Sequence, residues 1–94
     1  MAMVLMVDTP GMTQDQYDAS VATMGIKDVL PEGCSAHIAG PTPDGAAWRV
    51  VTVWESQDLA RQFMTQKLRP AQEAHGITPP STPPVIWPLH SLVV

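Results

Sequence analysis

Met3-Val4-Leu5-Met6-Val7 and Trp48-Arg49-Val50-Val51-Thr52-Val53-Trp54 are the stretches on which the fold turns. A strand with one wet face alternates apolar and polar residues; these two are apolar on both faces. They are also far shorter than the ~20 apolar residues that cross a membrane. They therefore read as central strands of a sheet buried on both sides. The two amphipathic helices that the chain offers can cover one side only. The simplest cover for the other is a second copy of the same chain, so a homodimer through the sheet face and the C-terminal strand is expected.

The totals agree with a small, self-associating domain. At 94 residues the chain is one domain, spanning residues 1–94. A chain of this size buries only ~60–65% of its unfolded surface, so dimerisation would add stability as well as cover. The single Cys34 excludes an intrachain disulfide framework, and no Cys/His spacing resembles a zinc site. Nine acidic against five basic residues, a net charge of −4, leave no basic patch for nucleic acid. No Lys or Arg precedes the first short apolar run, which is therefore no signal peptide, and no stretch is long enough to span a membrane. A cytoplasmic protein is the expectation.

Working outward, Ala2 to Val7 reads as the first strand, closed by the turn cluster Asp8-Thr9-Pro10-Gly11. Thr13 and Gln16 form a capping-box pattern, Asp15 and Asp18 suit a helix N-terminus, and Tyr17, Val21 and Met24 make one apolar stripe that ends at Gly25. After a connection from Ile26 to Gly33, Cys34 to Ala39 reads as the second strand. The Asp44-Gly45 turn leads into the third strand, Ala47 to about Glu55. Ser56 caps a second helix with Leu59, Phe63 and then Lys67 or Leu68 on its inner face, and Pro70 is expected to break or kink it. A short helix restarts at Pro70 and stops at Gly76. The Pro-rich segment Ile77 to Pro84 is expected to be an extended connector, and Val85 to Val94 a fourth, edge strand. The order β-α-β-β-α-β is the ferredoxin-like α+β arrangement, with a four-stranded antiparallel sheet and both helices on one face.

Val53-Trp54-Glu55-Ser56, Phe63, Leu68-Arg69-Pro70, Gly76 and a C-terminal strand carrying a His together resemble the antibiotic biosynthesis monooxygenase superfamily of dimeric α/β barrels. The resemblance implies a homodimer with sheets packed face to face and a small-molecule pocket between sheet and helices in each subunit. Members include cofactor-independent monooxygenases, polyketide decarboxylases or cyclases, haem-degrading enzymes, isomerases and proteins without known activity. The fold alone does not choose among them. Trp54 would correspond to the pocket-lining strand-three tryptophan of the monooxygenase branch. The Asn that branch places near its Trp is not reproduced, since Val50 stands four residues before Trp54. Nor is the Asn, His and Trp trio of the haem-degrading branch recognisable.

Read from the residues themselves, His37 and His90 are the candidate catalytic bases, being strand histidines that titrate near neutrality. An oxygenase without metal or flavin needs such a base to turn an electron-rich phenol or anthrone into an anion that reduces O₂. Whether either histidine faces Trp54 depends on hairpin register, and a packing role is open to both. Trp54, Trp48 and Tyr17 are candidate ring-binding residues, each with a core-packing alternative. Arg49 could pair with Glu55, pair across a dimer, or orient an anionic substrate. His75 reads as a helix C-terminal dipole partner, and Cys34 as inert.

Two functions follow. The first is an oxygenase, or a related isomerase or cyclase, acting on an aromatic or polyketide-like small molecule with no cofactor and no metal. The second is a non-catalytic dimeric module, binding small ligands or associated with stress. An enzyme pocket should gather a His with Tyr17 or Arg49 near Trp54, whereas a structural barrel should fill that space with Leu and Met; six methionines favour such filling.

Overall fold

The computed structural model describes residues 2–77 and 83–93. Four strands and a broken run of helix follow in the order β1 (Met3–Pro10), α1 (Gln14–Met24), β2 (Cys34–Pro41), β3 (Ala47–Trp54), α2 (Gln57–Phe63), a π-helical turn (Met64–Leu68), α3 (Arg69–Ala74) and β4 (Val85–Pro88). The strands form one antiparallel sheet in the order β2-β3-β1-β4, the ferredoxin-like α+β arrangement.

Register decides what each face carries. Trp54 pairs with Met3, Thr52 with Leu5, Val50 with Val7 and Trp48 with Thr9. On β2, His37 pairs with Thr52 and Ala39 with Val50, so His37, Thr52, Leu5 and Ile86 form one row across the sheet. This side packs on the helices: Leu5, Val7 and Trp54 share a buried cluster with Ala60 and Phe63. The opposite side carries Ile38, Val51, Met6 and Val85 in one row and Ala36, Val53, Val4 and Trp87 in the next. Both rows are apolar, yet Ile38 is 66% exposed and Val85 45%. Arg49 and Asp8, paired across the strands, close that face with charge.

The helices begin where the capping chemistry places them. Thr13 Oγ1 accepts from the Gln16 amide at 3.1 Å, and Gln16 Oε1 accepts from the Thr13 amide at 3.0 Å, a complete capping box. Gly25 ends α1 in the left-handed region at φ 72°, which glycine adopts without a Cβ clash. Thr13→Ala removes one half of this box and should cost about 1 kcal/mol of stability. The shift in urea midpoint or Tm measures it.

Of the break or kink expected at Pro70, the structure shows no break. The chain widens instead into a π-helical turn, and the Arg69 amide reaches back five residues to the Met64 carbonyl. The wider turn accommodates a residue that has no N–H and would otherwise crowd the carbonyl four positions earlier. Thr65 Oγ1, within the widened turn, donates to the Arg61 and Gln62 carbonyls at 3.1 and 3.3 Å. Pro70 then sits in the first turn of α3, where a missing amide costs nothing.

The strand ends also differ from expectation. β1 runs on to Pro10 rather than stopping at Val7, because Asp8, Thr9 and Pro10 pair with Arg49, Trp48 and Ala47. β4 is only Val85–Pro88, since proline cannot continue a ladder, although the Leu89 amide still reaches the Ala2 carbonyl at 2.9 Å. Of the expected Pro-rich connector, residues 78–82 lie outside the described residues.

Candidate functional site

α1 lays Tyr17, Ser20 and Met24 over the helix-side face of the sheet, three residues and then four apart, as one helical stripe requires. Beneath them a small, largely enclosed cavity of about 20 Å³ is walled by Leu5, Val7, Val50 and Met12, with His37, Thr52, Phe63 and Leu68 among the remaining lining. That is space for roughly one water molecule. A more open cleft of about 300 Å³, under the Ile26 to Leu30 stretch, shares two lining residues with it, Tyr17 and His37.

Those two side chains are bonded to each other. Tyr17 Oη lies 2.7 Å from His37 Nε2, with the rings edge-on at 6.1 Å. Burial pushes the His37 imidazole below its ordinary 6.5, because a charged ring in this apolar wall would lose its water. Burial, and to a lesser degree the Asp18 carboxylate, pushes the Tyr17 phenol above its ordinary 10.0. At neutral pH the pair is thus a phenol hydrogen-bonded to a neutral imidazole. Trp48 packs on the other side of Tyr17 with ring centroids 5.5 Å apart, and its buried Nε1 is without a hydrogen-bond partner among the described residues.

The shift of His37 carries a stability prediction. Below about 6.5 the unfolded chain protonates this histidine while the folded chain resists, so the unfolded state binds more protons there. Stability should therefore fall as pH drops from 6.5 through the lower, folded value, and be indifferent to His37 above 6.5. Denaturation midpoints between pH 7.5 and 5 should show this slope in the wild type and a shallower one in His37→Gln. Asp8 acts in a lower window: its hydrogen bond to Arg49 depresses its carboxyl below 3.8.

The remaining candidates separate. Trp54 is 1% exposed, donates from Nε1 to Thr52 Oγ1 at 2.8 Å and packs on Phe63 at 4.9 Å; Phe63, not Trp54, lines the cavity. Arg49 points to the helix-free face, where it makes a two-pronged bond to Asp8 at 2.8 and 2.9 Å. Within the chain its partner is Asp8, directly opposite it on β1, rather than Glu55. His90 is exposed, beyond the end of β4, and outside the cavity lining. His75 caps α3 and bonds Thr23 Oγ1 at 2.6 Å, tying the ends of two helices together. Burial pushes the Cys34 thiol up, away from reactive thiolate, and its Sγ donates to the Ala36 carbonyl.

Sequence reasoning missed Ser20, Thr52 and Gln72 in the cavity wall. Gln72 was discoverable: it stands four residues after Leu68, and a polar residue on an apolar helical stripe is a signal. Among the described residues no group of three His, Cys, Asp or Glu side chains could hold a metal, and no helix is long and apolar enough to cross a membrane.

No family model and no curated protein matches the sequence. Solved structures do match the fold. A protein from Chloroflexus aurantiacus J-10-fl, described as an antibiotic biosynthesis monooxygenase, superposes with a TM-score of 0.66 at 16% identity, over 99% of this chain and 98% of that one. SnoaB, a cofactor-independent oxygenase from Streptomyces nogalater solved as a point variant, gives 0.61 at 12% identity over 98% and 95%. Rv0793 from Mycobacterium tuberculosis gives 0.54 at 15% over 99% and 96%. The chain thus has the fold of antibiotic biosynthesis monooxygenase-type proteins, as the sequence resemblance implied.

Proposed function

We propose that the chain is a cofactor-independent oxygenase, or an isomerase or cyclase using the same proton-transfer groups, acting on an aromatic or polyketide-like small molecule. The observation that carries this reading is the Tyr17–His37 pair in an apolar wall. A neutral imidazole is the form a general base needs, and a water-poor wall strengthens its hold on a substrate proton. His37 would take a proton from an anthrone or similar phenol, with Tyr17 holding the ring's oxygen. The resulting carbanion gives an electron to O₂; recombination forms a carbon-bound hydroperoxide, which loses water to leave a carbonyl. One anthrone and one O₂ give one quinone and one H₂O. The likeness to SnoaB supports the fold for such chemistry.

The homodimer belongs to this proposal. The two apolar rows on the helix-free face are what a second copy would cover. A second reading, a ligand-binding module without turnover, is favoured by one observation. The cavity holds about one water, and six of its thirteen lining residues are aliphatic or Met side chains. The test is oxygen uptake with anthrone in metal-free, flavin-free buffer, with quinone formation followed by absorbance. Uptake matched one-to-one by quinone supports the oxygenase; tight binding with no conversion supports the module.

A further inference from the structure

The enclosed cavity and the open cleft border the same two side chains, Tyr17 and His37, but differ in size and polarity. The cleft, at about 300 Å³, has room for a fused aromatic ring; the cavity, at about 20 Å³, has room only for a diatomic molecule or a water. The surface that the cavity presents is almost wholly apolar, with Leu5, Val7, Met12, Met24, Val50 and Phe63 in its wall. Three polar groups of that wall already have protein partners. Ser20 Oγ donates to the Tyr17 carbonyl at 2.8 Å, Thr52 Oγ1 accepts from Trp54 Nε1 at 2.8 Å, and Tyr17 Oη lies 2.7 Å from His37 Nε2. A buried water needs roughly two to four polar partners, whereas an apolar space that lacks them stays dry and takes apolar guests.

We propose that this cavity is a dioxygen site: O₂ rests among Leu5, Val7 and Val50 while the aromatic ring occupies the cleft, and the two meet at the Tyr17–His37 pair. Dioxygen is apolar and leaves water for such surroundings. The role rests on the oxygenase reading, in which the carbanion must pass its electron to O₂ before a proton returns to it. An oxidant already seated beside His37 makes that encounter one within a single complex. Placing the ring in the cleft also reconciles a fused-ring substrate with a cavity too small to hold one.

Dissolved O₂ is paramagnetic and serves as its own probe. Under oxygen pressure, with nitrogen as the diamagnetic reference, methyl relaxation by NMR should rise several-fold more at Leu5 and Val7 than at Val53 and Ala60. Those two are comparably buried but do not line the cavity. Val50→Ile and Val7→Ile each add one methyl to the wall. Either should abolish the excess at Leu5 and raise the oxygen concentration for half-maximal anthrone oxidation about tenfold, the rate recovering as oxygen is raised. The wild-type relaxation decides the matter even where a variant fails to fold. Equal relaxation at all of these residues overturns the inference and leaves the oxygenase reading intact. So do filled variants that melt higher yet keep the wild-type oxygen dependence, the mark of a plain packing void. Excess relaxation at Leu5 and Val7 with no oxidation of anthrone overturns the oxygenase reading, and the site's role as the oxidant's seat with it.

Discussion

Replacing His37 by alanine should lower anthrone oxidation by about 10²- to 10⁴-fold, the usual contribution of a positioned general base. The loss should fall mainly on kcat, because removing a proton acceptor affects the transition state more than ring binding. His90→Ala is the matched control: His90 is exposed and outside the cavity lining, so its variant should retain the wild-type rate. Tyr17→Phe should cost less, about tenfold, since it removes one hydrogen bond and leaves the ring in place against Trp48. The pH profile gives an independent check. The rate should fall on the acid side with an apparent pKa below 6.5, following the histidine whose burial depresses it. On the alkaline side Tyr17 stays protonated beyond 10.0, so no descending limb should arise from it. Should His37→Ala disturb folding by circular dichroism, His37→Gln fills the same space without the basicity. Full activity in both His37 variants would remove histidine base catalysis from consideration.

How legible this was in the sequence differs sharply between frame and site. The two-sided apolar strands, the Thr13-Gln16 capping box and the Ser56 cap are local signals, and the structure repeats them. Ser56 Oγ accepts from the Leu59 amide at 3.2 Å where a cap was expected. Pro70 was read as a local rule too, but the rule has two solutions, and a break lost to a widened turn because the helix continues to pack through Leu68 and Ala71. The site depended on information that the sequence does not carry. Register alone puts His37 beside Thr52 on the helix side and Arg49 beside Asp8 on the other. A shift of one residue would have exchanged those roles. Trp54 was picked out by size and by family likeness, but size is also what fills a core: it is sealed against Phe63 with its N–H paired, while Trp48 keeps a buried N–H unpaired beside Tyr17.

The second large effect concerns the face that the helices leave bare. Val51 lies within the row formed by Ile38, Val51, Met6 and Val85, which the wild-type chain is expected to press against the same row of a second copy. Val51→Lys places an ammonium there. In a monomer the lysine reaches water along its own stem, so the fold survives; in a symmetric dimer two such charges are buried together without partners. The cost is about 3 kcal/mol or more, beyond a hundredfold in dimer affinity. Light scattering should therefore move from twice the 10.2 kDa chain mass to that mass itself, with far-UV circular dichroism retained. Gln62→Lys, on the exposed side of α2, should leave the dimer unchanged. A wild type that is monomeric at high concentration, or a Val51→Lys variant as dimeric as its parent, would sink the dimer. The consequence reaches the cavity, because its floor and this face are the two sides of the same strands. Leu5 and Val7 alternate with Val4 and Met6, and Val50 and Thr52 with Val51 and Val53. Separating the copies wets one side of that layer, so the monomeric variant should also unfold at a lower temperature and hold Tyr17 and His37 less firmly, losing activity in step with its loss of mass.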